Sequence, residues 1–393
     1  MICGGISTDS NKPERRYDLD WLRVIAILSV LIFHSMRFFD PMDWDVKNNV
    51  LSENIMVLVL FIVQWLMPLF FLISGMSIYF VLSFRTKGQF IKSRFLRIMV
   101  PYLFVGIFVI LPPQHYLRFL SGGGSGLTFL QFYSNYLTYT FVDVFSYFNL
   151  PPMGHLWYLF FLFIFSLVML PLYSYLITES GRSIISRTAS IFEKPGAILL
   201  LALPIGILTA ILDPTSFAGN PNYFGGWSIL AYPIILFYGY LIASNQKLEE
   251  AIHRHGKVAL VLAITTFPVI LWFIQAVLDG TFQFGSYGYA GVMVLRSFNL
   301  WCWMIAFLGY GKRYLSFNNS TLKYANEGLI AFYILHQTVI QIVGFFIADW
   351  DMAIIPKYII LATTSFIAIM IIYEIAIRRT NAVRFLFGMK PKK

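Results

Sequence analysis

The chain of 393 residues is strongly apolar: 58% of its residues are hydrophobic and only 12% are charged, about half the charged fraction usual in soluble domains. This composition excludes a disordered chain, and it leaves too little polar surface to cover a water-soluble globule. The formal net charge of +10 is typical of basic loops retained on the cytoplasmic side of a membrane, so nucleic acid is not expected as a partner. The fold class we predict is all-α, a polytopic bundle of membrane-spanning helices.

Ten apolar runs are candidates for spanning helices, each of which needs about 20 apolar residues. They fall at 19–38, 54–83, 98–113, 154–177, 196–212, 227–243, 257–278, 288–309, 327–348 and 357–377. The expected organisation is therefore an N-terminal tail over 1–18, a membrane domain over 19–377 and a basic C-terminal tail over 378–393.

The positions of Lys and Arg predict how these helices cross the membrane. With ten spans and a cytoplasmic N-terminus, 23 of the 29 Lys and Arg residues lie in cytoplasmic segments and four lie outside. Two more, Arg23 and Arg296, lie within apolar runs. Because cytoplasmic loops carry an excess of basic residues, both termini are expected in the cytoplasm.

The aromatic segment 127–150 could be taken for an eleventh span, but that assignment would place the later basic loops outside. The segment also contains Gln131, Asn135 and Asp143. We therefore place this segment outside, as helices lying in the interface, within an external region over 114–153.

The first span contains two polar residues on one face. Arg23 and His34 are eleven residues apart, which puts both side chains on the same side of a helix, about 16 Å apart along its axis. Asp20 lies one turn before Arg23. Two interpretations remain open from spacing alone: a reactive imidazole in a polar cavity with a cation nearer the cytoplasm, or a hydrogen-bonded histidine and a snorkelling arginine.

A second basic feature precedes the third apolar run. Arg94 and Arg97 are three residues apart and share a helical face. They could cradle a phosphate-rich ligand from the cytosol, or anchor the protein to anionic lipid. In the run before them, Ser74 and Gly75 indicate close helix packing.

Further polar residues lie in or next to the apolar runs. His155 and Trp157 stand at the outer mouth of the fourth run, Arg296 and Asn299 form a one-sided stripe in the eighth, and His336 lies in the ninth. Each group could be an interfacial or interhelical contact. Together with the first span they indicate one shared polar cavity.

No metal is expected from the sequence. The two cysteines, Cys3 and Cys302, lack the C-x-x-C spacing of a metal or redox site. The chain contains no H-E-x-x-H motif, no phosphate-binding Gly-Lys-Ser/Thr loop and no G-x-S-x-G motif.

Several short motifs occur in one order along the chain: D-x-x-R followed by H (Asp20, Arg23, His34), FFLISG (70–75), R-x-x-R-x-x-x-P (Arg94, Arg97, Pro101), H-L-W-Y-L (from His155) and Y-x-x-H-Q (Tyr333, His336, Gln337). In these motifs and in their order, the sequence resembles the acyltransferase 3 membrane family. That family includes bacterial O-antigen and peptidoglycan O-acetyltransferases and periplasmic-glucan succinyltransferases. The H-L-W-Y-L segment and the compact length look closer to the glucan-modifying branch.

The resemblance implies an enzyme of the cell (inner) membrane that moves a short acyl group, acetyl or succinyl, from cytosolic acyl-CoA to a carbohydrate hydroxyl on the far side. It implies that His34 is catalytic, as a general base or as a nucleophile. Residues expected to hold the donor are Arg23, Arg94, Arg97 and Ser74. Residues expected to contact the acceptor or an acyl carboxylate are His155, Trp157, Arg296, Asn299 and His336.

Two other functions fit ten spans with polar residues inside the membrane. The first is a transporter or flippase for a glycan or lipid, although no internal repeat is obvious. The second is a non-catalytic receptor or assembly subunit. Release of free CoA by the purified protein distinguishes the enzyme from both.

Overall fold

The structure is a computed structural model and describes residues 15–146, 152–212 and 224–392. Within these ranges the protein is a helical bundle without named strands, and its one β-bridge joins Phe224 to Trp227. The predicted all-α class is confirmed. Residues 1–14, which include Cys3 and most of the predicted N-terminal tail, lie outside the described residues.

The first seven helices are α1 (Tyr17–Arg37), α2 (Glu53–Leu82), α3 (Lys87–Ser121), α4 (Phe129–Ser146), α5 (Gly154–Val168), α6 (Leu170–Leu176) and α7 (Glu179–Phe192). The remainder are α8 (Ala197–Leu212), α9 (Ala231–Ser244), α10 (Gln246–Leu278), α11 (Tyr287–Tyr314), α12 (Ser320–Ile347), α13 (Ile354–Ile377) and α14 (Asn381–Leu386).

Seven of the described helices are long and apolar enough to cross a membrane, and the number rises to nine if each of two bent pairs is one span. The bent pairs are α5 with α6, at 50°, and α7 with α8, at 118°. Helix α9 is a shorter apolar helix of 14 residues. Helix α4, in the segment that we placed outside, does not belong to this set, and residues 147–151 lie outside the described residues.

The helices divide into central and peripheral ones. In α11 and in α12, 72% of the most apolar 18-residue stretch is buried inside the protein. In α10 and in α13 only 22% of that stretch is buried. A peripheral helix in a membrane protein presents its apolar side chains to lipid. The polar residues predicted in the eighth and ninth apolar runs therefore lie on the two central helices.

Helix α3 departs from regular α geometry where it carries the predicted arginine pair. Residues Phe95–Met99 and Pro101–Ile110 are π-helical. Pro101 has no N–H to donate to the preceding turn, and a wider turn accommodates that lost hydrogen bond. Arg97 lies in the first π-helical stretch, so its direction differs from the one a regular helix would give.

Helices α2 and α9 cross at very short distance through two glycines. A Cβ atom on Gly75 would lie 1.9 Å from the carbonyl oxygen of Leu236, and one on Gly239 would lie 2.0 Å from that of Leu72. Small residues allow such close backbone approach in membranes. The predicted packing role of Gly75 is thus explained by backbone contact with α9.

Replacing Gly75 by Ala should destabilise the protein, because the added methyl group must push α9 away and overpacking costs about 1–3 kcal/mol. The matched control is Gly88→Ala in the first turn of α3, where an added Cβ meets nothing within 4 Å. Melting of the purified variants in detergent should show a lower Tm for Gly75→Ala and an unchanged or higher Tm for Gly88→Ala. Equal melting of both variants would contradict the tight crossing.

Candidate active site

Three histidines from three helices meet in one cavity of about 790 Å³. Its wall includes His34 of α1, His155 of α5 and His336 of α12, together with Trp157 and Arg37. The ring centroids of His34 and His336 are 5.1 Å apart, and those of His155 and His336 are 4.9 Å apart. We call this space the histidine cavity. It unites four of the residues that the sequence placed at the site: His34, His155, Trp157 and His336.

A second cavity, of about 600 Å³, lies at the opposite end of the same helices. Its described lining residues include eight cationic side chains and two carboxylates, those of Asp20 and Glu327. All four residues predicted to hold the donor line it: Arg23, Arg94, Arg97 and Ser74. We call this space the arginine cavity. Its excess of positive charge suits a ligand with several negative charges.

The two cavities meet at a pair of tyrosines. Tyr333 of α12 lines both cavities, and its hydroxyl donates a 2.5 Å hydrogen bond to the carbonyl oxygen of His155. Tyr158, which lines the arginine cavity, is hydrogen-bonded to Ser74 at 2.8 Å. The centroids of the two tyrosine rings are 5.8 Å apart. Helix α1 runs past this junction, with Arg23 on one side of it and His34 on the other.

The hydrogen bonds of two histidines fix which ring nitrogen carries the proton. Nδ1 of His336 lies 2.6 Å from the carbonyl oxygen of Tyr333, and Nε2 of His155 lies 3.0 Å from that of Ile334. Because a carbonyl oxygen only accepts, each of these nitrogens donates. Nδ1 of His155 then accepts from the amide of Gln114 at 3.2 Å. Nε2 of His336 keeps a lone pair, and it is buried with no hydrogen-bond partner among the described residues.

His34 also has an unsatisfied ring nitrogen. Its Nδ1 is buried without a hydrogen-bond partner in the described part of the chain. The ring of Trp44 lies nearly parallel to the imidazole, with centroids 6.0 Å apart. Buried polar atoms are normally hydrogen-bonded, and an exception calls for an explanation such as a functional role or a bound group. Unsatisfied nitrogens on His34 and His336, at adjoining rings, fit the binding of a substrate with hydroxyl groups.

A buried carboxylate holds the loop that carries Trp44. Asp40 is fully buried and accepts hydrogen bonds from Arg37 at 2.6 Å and from Lys47 at 2.9 Å. The backbone N–H of Met42 also donates to it, at 2.9 Å. Burial lowers the pKa of the Lys47 ammonium, and the hydrogen bond to Asp40 opposes that shift. The loop after α1 is therefore a fixed wall of the histidine cavity.

Replacing Asp40 by Asn should lower the free energy of unfolding by about 1–3 kcal/mol, because it leaves two cations without their shared partner. The control is Asp43→Asn in the same loop, where the side chain is 91% exposed. Thermal unfolding of both variants in detergent checks the prediction. An Asp40→Asn protein as stable as the control would show that the network does not hold the loop.

The predicted donor residues have distinct local contacts. Arg23 forms an ion pair with Asp20 at 2.9 Å and a hydrogen bond with Ser77. The guanidinium of Arg94 lies over the ring of Phe90, 5.2 Å from its centroid. The arginine cavity thus contains guanidinium groups fixed from two different helices, α1 and α3.

Arg296 and Asn299 are not among the residues that line the histidine cavity, and they form hydrogen bonds in a network next to it. The guanidinium of Arg296 lies 4.1 Å from the centroid of the Trp227 ring and donates to the carbonyl oxygen of Gly226. Asn299 donates to the carbonyl oxygen of Ala263 at 2.7 Å. Because Gly226 itself lines the histidine cavity, Arg296 contacts that cavity through the backbone of this loop. The prediction that Arg296 and Asn299 touch the acceptor remains a prediction.

Several residues at the two cavities could not be predicted from the sequence pattern. Beside the histidine cavity these are Trp44, whose ring stacks on that of His34, and Asp40, which is buried in the same loop. In the arginine cavity they are Arg85, Lys323, Arg384 and Lys390, which the charge pattern assigned only to loops and to the tail. The described residues contain no group of three or more His, Cys, Asp or Glu arranged to hold a metal ion.

The described residues thus form a bundle of membrane-spanning helices with a cationic cavity at one end and a histidine cavity at the other, so the class of protein is a multi-pass membrane protein with two internal cavities. Residues 16–374 match the sequence profile of the acyltransferase 3 family, which describes an acyltransferase domain. The chain therefore belongs to this family and is a membrane acyltransferase.

Curated relatives extend over the same length. The chain is 22% identical over 388 residues to glucans biosynthesis protein C from Escherichia coli O1:K1 / APEC, and the alignment covers 96% of this chain and 95% of the relative. The same protein from Escherichia coli strain UTI89 / UPEC has the same identity and coverage. No solved structure matches the chain.

Proposed function

We propose that the protein transfers a short acyl group, acetyl or succinyl, from cytosolic acyl-CoA to a hydroxyl of a carbohydrate, with a glucan as the preferred acceptor class. The observation that carries this proposal is that the strongly cationic arginine cavity and the histidine cavity, which His34 lines, share the wall residue Tyr333. The glucan is suggested by the name of the relatives, glucans biosynthesis protein C.

The arginine cavity fits the donor. The phosphates of CoA need several cations, and guanidinium groups match phosphate geometry with paired hydrogen bonds. The pantetheine arm is long and neutral, and it would run along α1 from Arg23 toward His34. Ser74 and Tyr158, joined by a 2.8 Å hydrogen bond, line that path. The thioester then arrives at the junction of the cavities.

The histidine cavity fits the acceptor. Trp157 offers an aromatic face for a sugar ring, and the unsatisfied nitrogens of His34 and His336 can accept hydrogen bonds from hydroxyl groups. His155 uses both of its nitrogens in protein hydrogen bonds. We therefore assign His155 the role of holding the wall of the cavity, and the two other histidines the contact with substrate.

His34 acts as the general base in this mechanism. It accepts the proton of the acceptor hydroxyl, whose oxygen attacks the thioester carbonyl carbon. The carbon–sulfur bond breaks, the proton passes to the departing CoA sulfur, and an ester forms on the sugar. An imidazole fixed at the junction of two cavities gains most of its effect from positioning both reactants. A stable acyl group on His34, detected by mass spectrometry of the protein after donor addition, would instead indicate nucleophilic catalysis.

The distribution of basic loops supports an orientation with the arginine cavity toward the cytosol and the histidine cavity toward the periplasm. The same rule favours ten spans with both termini in the cytoplasm, and the family resemblance implies a location in the inner membrane. Donor and acceptor would then reach the junction from opposite sides of the bilayer.

The direct test uses the purified full-length protein with acetyl-CoA or succinyl-CoA and a soluble glucan. We expect release of one free CoA thiol for each acyl ester on the glucan, measured by a thiol reagent and by mass spectrometry. Movement of the glucan across a vesicle membrane without thioester consumption would identify a transporter instead.

A further inference from the structure

The C-terminal segment after α13 forms a fixed wall of the arginine cavity. The charge pattern predicts a basic tail over 378–393, and residues 384–390 of this stretch pack against the bundle. Phe387 and Met389 are buried, while Lys390 lines the arginine cavity together with Gly388 and Met389. This wall is completed by the first turns of α12, through Lys323 and Asn326.

Specific contacts hold the segment in place. Arg384 pairs with Glu327 of α12 at 2.7 Å, and its Nε donates to the carbonyl oxygen of Lys390 at 2.8 Å. Gly388 has a φ of +66°, and a Cβ at this position would lie 2.4 Å from the carbonyl oxygen of Arg97. The backbone that leads to Lys390 therefore lies directly against the π-helical turn that carries Arg97.

The polar groups of this wall are incompletely paired. Within the described parts of the chain, Lys323 and Lys390 form no ion pair, whereas Glu327 is shared by Arg378 and Arg384. Nδ2 of Asn326 is buried and has no hydrogen-bond partner among the described residues. Two ammonium groups and an unsatisfied amide donor on one wall are the donor set that a phosphate would satisfy.

We propose that Lys323, Asn326 and Lys390 bind the 3′-phosphate of the donor. This inference rests on the proposed function, because it assumes that the donor is an acyl-CoA. CoA carries phosphate at two places, a diphosphate in its backbone and a monophosphate on the 3′ carbon of its ribose. Arg94 and Arg97 bind the diphosphate, and the neighbouring C-terminal wall binds the monophosphate. The segment thereby distinguishes CoA from nucleotides that lack the 3′-phosphate.

The test compares binding of CoA and of 3′-dephospho-CoA to the full-length protein in detergent by isothermal titration calorimetry. Wild-type protein should bind CoA about 10- to 100-fold more tightly than 3′-dephospho-CoA, as expected for one or two charge-assisted hydrogen bonds. The double variant Lys323→Gln/Lys390→Gln should bring that ratio close to one, by weakening CoA while leaving 3′-dephospho-CoA unchanged. The control Lys194→Gln/Lys257→Gln removes two exposed lysines elsewhere and should keep the wild-type ratio.

The other outcomes have distinct meanings. An unchanged ratio in the Lys323→Gln/Lys390→Gln variant, or equal weakening of both nucleotides, would overturn the assignment of the 3′-phosphate to this wall while leaving the donor as proposed. Failure of wild-type protein to bind either nucleotide would overturn the donor assignment itself, and this inference with it.

Discussion

Replacing His34 by Ala is expected to lower acyl transfer by about 10²- to 10⁴-fold, the usual contribution of a positioned general base. The fold should survive, because His34 lines a cavity and its Nδ1 has no hydrogen bond to lose within the described chain. Turnover is measured as CoA release by purified protein with donor and glucan. Binding of CoA should stay close to wild type, since the arginine cavity is unchanged. Added imidazole should restore part of the activity by entering the space that the side chain left.

The matched control is His115→Ala. His115 lies on α3, where its ring contacts Tyr136 of α4 at a centroid distance of 5.4 Å. We expect this variant to retain at least half of wild-type turnover. Substantial turnover by His34→Ala, at wild-type folding and donor affinity, would contradict a catalytic role for His34.

Replacing both Arg94 and Arg97 by Gln is expected to raise the Kd for CoA by about 10²-fold, because two charge-assisted contacts to phosphate are lost. The Kd for 3′-dephospho-CoA should rise by the same factor, since both nucleotides contain the diphosphate. Turnover at saturating donor should change little, because neither arginine lines the histidine cavity wall described above. Calorimetry with each nucleotide checks the prediction.

The control is Arg187→Gln, because Arg187 is an exposed arginine on α7, away from the arginine cavity. Its CoA affinity should match that of wild type. Unchanged CoA affinity in the Arg94→Gln/Arg97→Gln variant would assign these two residues to the anchoring of anionic lipid, the second interpretation of their positions.

Much of the fold could be predicted from the pattern of apolar residues. The run at 19–38 corresponds to α1 at Tyr17–Arg37, and the run at 54–83 corresponds to α2 at Glu53–Leu82. Hydropathy works well here because a spanning segment must satisfy its backbone hydrogen bonds within its own helix. It does not detect the 50° bend between α5 and α6 or the π-helical turns of α3, because both depend on local backbone geometry.

Helical spacing predicts contacts of the site only within a single helix, whereas the shared cavity is inferred from the cost of leaving polar residues of several spans in lipid. The eleven-residue spacing of Arg23 and His34 places them on one face of α1, and the structure puts them at the two cavities on either side of Tyr333. The approach of His336 to His34 joins residues about 300 positions apart in sequence, and no periodicity in one helix predicts such a contact. The role of Arg384 was missed for the same reason, because its ion pair with Glu327 forms only when the C-terminal segment folds back.

Transfer across the membrane can be tested by placing donor and acceptor on chosen sides of a bilayer. The protein is reconstituted into sealed vesicles that contain a soluble glucan, and labelled acetyl-CoA or succinyl-CoA is added outside. We expect labelled glucan inside these vesicles, and none when donor and glucan are both supplied only to the outside. Labelled glucan formed with both substrates on the same side would contradict a reaction at the junction of two cavities that open to opposite sides of the membrane.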